Sequence, residues 1–187
     1  MVIFPCWENQ EKLQAFASQD RPLVVVNRTF QEYPGMGLVL SDIRGGARMA
    51  VDHLVQKGHT RIGMLAGRAT PMCVMERMQG FRDALAHHGL QVVEEWILTG
   101  SRSIDVERGN EAARELLTNH PEVTAVFAYN DLIAMGAVQA CQAMGRRVPE
   151  DLAIVGFDNI ELSDMIVPPL TTIHIDQYNL GRQAVTR

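Results

Sequence analysis

Short apolar runs alternate with longer stretches of helical period along most of this sequence, beginning near residue 22. Such alternation predicts repeated β-α units, in which parallel strands form a sheet and the intervening helices cover it. The runs are mostly continuous in their apolar character, as expected for strands that are buried on both faces. Strong strands are predicted at 23–26, 37–40, 61–66, 125–129 and 152–157, and weaker ones at 2–4 and 171–175.

The segments between these runs predict amphipathic helices, because their apolar residues recur at helical spacing. The pattern occurs at 47–55, 78–85, 113–117, 133–144 and 177–187. Gly58 ends the first of these helices. Asp131 is the expected N-cap of the fourth, because its carboxylate can accept hydrogen bonds from the free amides of the first turn. Residues 41 and 42 mark the predicted boundary between two lobes.

Four polar residues lie at or after the ends of predicted strands, where open parallel sheets bind their ligands. Asn27, Asn130 and Asp158 each directly follow a strand, and Arg77 begins the helix after the strand at 61–66. Together they offer an anion, a guanidinium and two amides, a set suited to a small, hydroxyl-rich or otherwise polar ligand. Taken singly, each has a structural alternative: a helix cap at Asn130, a turn at Asp158, or a solvated helix charge at Arg77.

The charge balance argues against direct nucleic-acid binding by this segment. The 187 residues include 17 Lys and Arg against 22 Asp and Glu, a formal net charge of −5, whereas a surface that neutralises phosphates needs clustered basic residues. No apolar stretch reaches the roughly 20 residues of a membrane span. The N-terminus lacks the basic and long apolar segments of a signal peptide, so the cytoplasm is the expected location.

No constellation for catalysis or metal binding is found in the sequence. It contains no nucleophile elbow, zinc-protease motif or complete phosphate-binding loop, and the six histidines lack ligand spacing. The three cysteines, Cys6, Cys73 and Cys141, lie far apart and are interpreted as small buried hydrophobic residues. We therefore expect no metal, no cofactor and no enzymatic activity.

Several segments, in this order and spacing, resemble the regulatory core of the lactose-repressor and galactose-repressor (LacI/GalR) family of bacterial regulators. The match is carried by 42–47 leading into 53–59, then Arg77-Met78-Gln79-Gly80-Phe81, Asn130-Asp131-Leu132-Ile133-Ala134-Met135-Gly136, 148–159 and 168–173. The resemblance covers essentially the whole chain. It implies an α/β, periplasmic-binding-protein-like fold with two doubly wound parallel-sheet lobes, of which the first is incomplete. Residues 1–41 would form part of the N-terminal lobe, 42–174 the C-terminal lobe, and 175–187 the return to the first lobe.

The resemblance also implies a ligand site for a small-molecule effector in the cleft between the lobes. Arg77, Asn130 and Asp158 match family positions that hydrogen-bond the effector, the same residues that the strand-end argument selects. Asn27 matches a position where many members have aspartate, and two further positions that line the pocket are Cys73 and Ile104. Sugar-binding members often place an aromatic residue at the position of Ile104, so a sugar effector is one expectation among other metabolites.

Family members form dimers, and the resemblance implies a homodimer here. Met135 and the segment that includes Ser163, Met165 and Ile166 match the C-terminal-lobe part of the contact; the alternative is that these side chains pack on their own core. The family's DNA-binding headpiece is absent from this sequence. Operator DNA would therefore be a partner only through that headpiece, and effector binding would control it allosterically.

Two other functions remain open at this point. A periplasmic solute-binding protein of a transporter would share the fold and the crevice, although segment 148–172 resembles regulators more than transport proteins. A doubly wound enzyme that uses Asp158 as a base would need a partner acid, a metal or a phosphate loop, none of which the sequence offers.

Overall fold

The computed structural model describes residues 2–3, 23–27, 36–67, 71–102 and 105–186, with the side chains of 2–3 and 71–73 excepted. By its contacts the chain divides into two compact units. Unit 1 contains Met1–Asp42, Thr70–Cys73 and Ile175–Arg187. Unit 2 contains Ile43–Ala69 and Val74–His174.

In the described residues of unit 1, three strands form a small parallel sheet. These are β1 (Val2–Ile3), β2 (Leu23–Val26) and β3 (Met36–Val39), with β2 in the centre. Helix α5 (Gln177–Thr186) packs on this sheet through Leu180 and Ala184, which join Val24, Val26 and Val39 in one apolar cluster. Helix α5, near the C-terminus, therefore completes the core of unit 1 together with strands β2 and β3 from the N-terminal part of the sequence.

Unit 2 has a parallel sheet of five strands in the order β5-β4-β6-β7-β8. The strands are β4 (Ile62–Leu65), β5 (Ile97–Leu98), β6 (Ala125–Ala128), β7 (Ala153–Asp158) and β8 (Thr171–His174). In the part of the chain that the structure describes, four α-helices accompany them: α1 (Ile43–Gln56), α2 (Pro71–His87, of which residues from Val74 belong to unit 2), α3 (Asp105–Asn119) and α4 (Asp131–Ala143). The predicted α/β fold with parallel sheets is confirmed. The two-residue edge strand β5 was not predicted, because so short a run has no periodicity of its own.

Helices cover both faces of the unit 2 sheet. On one face, Val126 and Ala128 of β6 pack with Leu116 of α3 and Ala137 of α4 in the main apolar cluster. On the other face the Phe127 ring stacks on Phe81 of α2, with 6.5 Å between ring centroids. Successive residues of one strand thus enter two different cores, which explains the continuous apolar runs in the sequence.

Helices α3 and α4 approach so closely that their backbones touch. A Cβ atom added to Gly136 of α4 would lie 2.0 Å from the carbonyl oxygen of Val106, and one added to Gly109 of α3 would lie 2.1 Å from that of Ile133. Real side-chain carbons do not approach oxygen atoms this closely, so only glycine fits at either position. This contact brings the start of α3 beside the start of α4, where two of the predicted site residues lie.

We predict that Gly136→Ala lowers the free energy of unfolding by about 1–3 kcal/mol or more, because the new methyl group overpacks the helix contact. Gly181→Ala in α5 is the matched control, since its added Cβ meets no described atom within 4 Å. It gains the same helix propensity, up to about 1 kcal/mol, without the clash. Urea denaturation followed by circular dichroism measures both variants. Equal effects of the two substitutions would contradict the close contact.

Candidate functional site

The polar residues of unit 2 meet at one edge of its sheet. Strands β4, β6 and β7 are parallel neighbours, so their carboxyl ends lie side by side. Asp158 is the last residue of β7, and Asn130 follows β6 after Tyr129. Arg77 reaches the same edge from α2, the helix that follows β4. The structure therefore brings together three of the predicted site residues, Arg77, Asn130 and Asp158.

Arg77 is a buried cation with only 6% of its surface exposed. Its Nη2 donates to Asp158 Oδ1 at 2.8 Å, and its Nη1 donates to the Tyr129 carbonyl at 2.6 Å. The guanidinium carbon lies 4.0 Å from the centroid of the Phe157 ring and 4.3 Å from that of Tyr129. The two rings and the two hydrogen bonds hold the guanidinium plane in one orientation.

One donor of this guanidinium is not used within the part of the chain that the structure describes. The Nε atom of Arg77 is buried, and no described atom accepts its hydrogen bond. A buried donor without an acceptor is costly, so such atoms concentrate where a ligand or an ordered water completes the site. Gly67 contributes to the same arrangement, because a Cβ at this position would lie 2.4 Å from the Tyr129 ring beneath Arg77.

Asp158 is partly exposed and its ionised form is disfavoured. Its side chain keeps 28% of its surface accessible, so the carboxylate can contact Arg77 and a ligand at the same time. Burial raises the pKa of the Asp158 carboxyl above its ordinary value of 3.8, and the Arg77 charge only partly offsets this effect. The nearby carboxylates of Asp131 and Asp105 raise the Asp158 pKa further. A carboxyl group in a cleft whose pKa is shifted by burial and by specific charged neighbours is a candidate for a functional site.

Asn130 has a structural role in addition to any contact with a ligand. Its Oδ1 accepts from the backbone amide of Ile133 at 2.9 Å and so caps helix α4. Its Nδ2 donates to Asp105 Oδ2 at 2.8 Å, which uses one of the two amide hydrogens. The prediction that Asp131 caps this helix was wrong: Asn130 is the cap, and Asp131 is the first helical residue.

Asp131 instead accepts hydrogen bonds from residues far away in the sequence. Its carboxylate bonds to the backbone amide of Ile160 and the hydroxyls of Ser163 and Thr172. Sequence reasoning could not distinguish the two residues, because both asparagine and aspartate are favoured N-caps and they are adjacent. Asp131 is the residue that points into the interior, because the hydrogen-bond donors from distant parts of the chain lie there.

A second network, which the sequence reasoning missed, supports Asn130 from α3. Arg108 is 2% exposed, and its guanidinium bonds to the Asp105 carboxylate and to the carbonyls of Gly100 and Arg102. Asp105 in turn accepts from Asn130. A signal was present: Arg108 precedes the buried residues Ala112 and Leu116 by four and eight positions, on the same helix face.

The remaining predicted residues are placed as follows. Asn27 lies in unit 1 after β2, has a positive φ of 55°, and accepts from the Ser41 amide through Oδ1 at 2.8 Å. Cys73 lies in the first turns of α2, but its side chain is outside the described residues, and so is all of Ile104. Cys141 is buried, and burial raises the pKa of its thiol to about 11, as fits a structural residue.

The residues predicted to contact a second subunit differ in their exposure. Met135 is 7% exposed, and Ser163 is completely buried with its hydroxyl bonded to Asp131. Ile166 is half-buried against the main apolar cluster. Met165 is 71% exposed. The side chain of Ser163 thus has no surface to offer a partner, and Met165 is the member of the set that projects into solvent.

One known protein family matches most of this chain. Residues 51–187 match the family model of the periplasmic binding protein-like domain, which is more than half of the chain. The chain belongs to this family. It corresponds to the effector-binding core of LacI/GalR regulators, so the predicted family and the periplasmic-binding-protein-like fold are both confirmed.

Individual relatives and structures show the same relationship. The chain is 38% identical over 152 residues to a protein named HTH-type transcriptional repressor PurR from Mannheimia succiniciproducens, covering 81% of this chain and 45% of that protein. A regulatory protein of the LacI family from Chloroflexus aggregans has a TM-score of 0.90 and 29% identity, covering 99% of this chain and 66% of that chain. A CelR–cellobiose complex has a TM-score of 0.88 and 32% identity, with coverages of 99% and 56%.

The chain spans about half the length of the curated relatives that it matches. These relatives are transcriptional repressors and not enzymes, in agreement with the sequence prediction. Within the described residues, no group of side chains forms a metal site. None of the described helices is long and apolar enough to cross a membrane.

We predict that Asp158→Asn becomes more stable relative to the unsubstituted protein as the pH rises from about 4 to 7. The folded-state pKa of Asp158 is raised, so its carboxyl stabilises the fold most when protonated, and this stability is lost as the pH rises through the folded pKa. Asparagine does not titrate. Thermal melting of both proteins across this range measures the difference, and a constant difference would contradict the raised pKa.

Proposed function

We propose that this chain is the effector-sensing part of a bacterial transcription regulator, which binds a small polar metabolite at the carboxyl edge of the unit 2 sheet. The observation that carries the proposal is the Arg77–Asp158 pair at that edge, joined at 2.8 Å. Arg77 is held rigidly, Asp158 stays partly exposed, and Asn130 is oriented beside them by Asp105. Rigid polar groups of this kind distinguish a ligand by its hydrogen bonds at little cost in entropy.

The chemistry of these groups favours a ligand that carries hydroxyls. The Asp158 carboxylate accepts from hydroxyl or amine groups, and the guanidinium of Arg77 donates to oxygen atoms. We include a sugar among the proposed effectors, because one structural neighbour is a complex with cellobiose. Asn27, Cys73 and Ile104 complete the proposed ligand-binding set, as the family resemblance implies.

In the whole protein, the effector would change the affinity for operator DNA through a DNA-binding headpiece. A ligand can do this only if it binds one conformation more tightly than another, typically by about 1–3 kcal/mol. The relatives named as HTH-type repressors support this role over that of a transport protein. A protein that controls operator DNA works in the cytoplasm, and that location is part of the proposal.

A homodimer is also part of the proposal. The segment after β7 presents three strongly exposed apolar side chains, Leu162 at 50%, Met165 at 71% and Val167 at 78%. Apolar side chains clustered on a short exposed segment favour a protein contact. The family resemblance assigns Ser163, Met165 and Ile166 of this segment, with Met135 on α4, to the contact between subunits.

We predict that a ligand of this class raises the melting temperature of the protein but not that of Asp158→Ala. A ligand that binds only the folded state stabilises it, by about 2.7 kcal/mol at a concentration of 100 times its dissociation constant. Thermal melting against a panel of sugars, sugar phosphates, nucleosides and purines measures this effect. The matched control is Glu115→Ala, because Glu115 is an exposed carboxylate on α3 that belongs neither to the proposed ligand site nor to the proposed dimer contact. Equal stabilisation of Asp158→Ala would remove Asp158 from the site.

We predict that Met165→Asp converts a dimer into a monomer, because a charge would have to be buried unpaired in the contact. Met49→Asp is the matched control, since Met49 is 63% exposed on α1, a helix that is not part of the proposed contact. Sedimentation equilibrium measures the mass of each variant. An unsubstituted protein that is already monomeric, or a Met165→Asp variant that stays dimeric, would contradict this contact.

A further inference from the structure

The buried carboxylate of Asp131 connects helix α4 to the turn that carries Asp158. Asp131 is 1% exposed. Its Oδ2 accepts from the Ile160 amide at 2.9 Å and from Ser163 Oγ at 2.8 Å, and its Oδ1 accepts from the Thr172 hydroxyl. Three donors from two other parts of the chain therefore converge on one side chain, and such a set compensates the burial of a carboxylate.

Strand β7 is shaped to leave room for this carboxylate. A Cβ added to Gly156 would lie 2.3 Å from Asp131 Oδ1. Gly156 precedes Asp158 by two residues, so both lie on the same side of the strand. The carboxylate of Asp131 thus lies directly behind the end of β7, where any larger residue would displace it.

The turn after β7 has an unfavourable backbone that needs external support. Asp158 has a φ of 104° and Asn159 a φ of 55°, and both lie in the left-handed region that favours glycine. Non-glycine residues remain there only where surrounding contacts hold them. The hydrogen bond from the Ile160 amide to Asp131 is such a contact, one residue beyond the two strained positions.

We propose that Asp131 is a positioning residue for ligand binding, which holds the Asp158 carboxylate in its binding orientation by anchoring the turn at Ile160, Ser163 and Thr172. This inference rests on the ligand site proposed above. Asp131 itself is fully committed to the three internal donors and does not contact the ligand. It acts through the backbone that carries Asp158.

The electrostatic relation between the two carboxylates gives the proposal a second readout. Among the described residues, the charged groups that act on Asp158 are Arg77 from α2, Asp131 from α4 and Asp105 from α3, and the titratable His174 is its register partner on β8. The charge of Asp131 raises the pKa of Asp158 in addition to the effect of burial, whereas Arg77 lowers it. Neutralising Asp131 therefore lowers the pH at which Asp158 titrates, provided that the turn stays in place.

The first experiment compares ligand affinity among three variants by isothermal titration calorimetry, with the panel compound that binds the unsubstituted protein. Asp131→Ala removes all three acceptor contacts, and we expect its affinity to fall about tenfold or more. Asp131→Asn keeps an oxygen for Ile160, while the Thr172 hydroxyl can turn to accept from its amide, so its affinity stays within about threefold. Leu116→Ala is the control for lost stability, because Leu116 is completely buried in α3 and is not part of the turn or of its hydrogen-bond network.

The second experiment needs no ligand and separates this inference from the proposed function. The titration of the Asp158 carboxyl is followed by carbon NMR, and the exchange of the Ile160 amide proton by hydrogen exchange. Asp131→Asn should titrate Asp158 at lower pH with the amide still protected, whereas Asp131→Ala should also lose the protection of Ile160. Asp131→Asn carries this test if Asp131→Ala does not fold.

The two experiments distinguish failure of the positioning role from failure of the proposed function. Unchanged affinity in Asp131→Ala, or an equal loss of affinity in Leu116→Ala, would overturn the positioning role. Retained protection of the Ile160 amide in Asp131→Ala would overturn it without any ligand. Absence of binding by the unsubstituted protein, together with the expected titration and exchange results, would instead overturn the proposed function and leave Asp131 as the anchor of the Asp158 turn.

Discussion

Every strand of unit 2 runs in the same direction, and the arrangement of its polar residues depends on this constraint. Parallel strands need crossover connections, so helices cover both faces and the carboxyl ends of all strands meet at one edge. The faces are filled with apolar side chains such as Phe127 and Val126, which leaves that edge as the place where polar groups can gather. Arg77, Asn130 and Asp158 converge there because Asn130 and Asp158 stand at the carboxyl ends of neighbouring strands and Arg77 reaches the same edge from α2.

Net stability alone does not account for the Arg77–Asp158 pair, whereas the proposed ligand site would explain it. Removing two charges from water costs several kcal/mol per ion, and a buried pair often contributes no net stability relative to apolar residues of similar size. The raised pKa of Asp158 indicates the same, since Arg77 does not fully compensate the burial of the carboxylate. A strained backbone at Asp158 adds to the cost. Such features persist where a site must be ready before its ligand arrives.

Side chains from helices α3 and α4 orient Asn130 and Asp158. Arg108 and Asp105 hold Asn130 from α3, and Asp131 holds the turn of Asp158 from α4. Both helices start at the same edge because Gly109 and Gly136 let them pack backbone against backbone. A close helix contact in the core thereby sets the geometry of polar groups at the edge.

Apart from the short edge strand β5, the sequence by itself determined the succession of the described strands and helices along the chain, the parallel sheets and three of the polar residues at their edge. These follow from local patterns. The spacing of apolar residues predicts each helix and strand, and the position directly after a strand predicts which side chains reach the carboxyl edge of the sheet. Only the tertiary structure decided which of Asn130 and Asp131 caps α4, and that Arg108 is buried. The donors of Asp131 lie 29, 32 and 41 residues away, and Arg77 and Asp158 are 81 residues apart. Contacts over such separations leave no periodic signal in the chain, so only the packed fold could choose the partners.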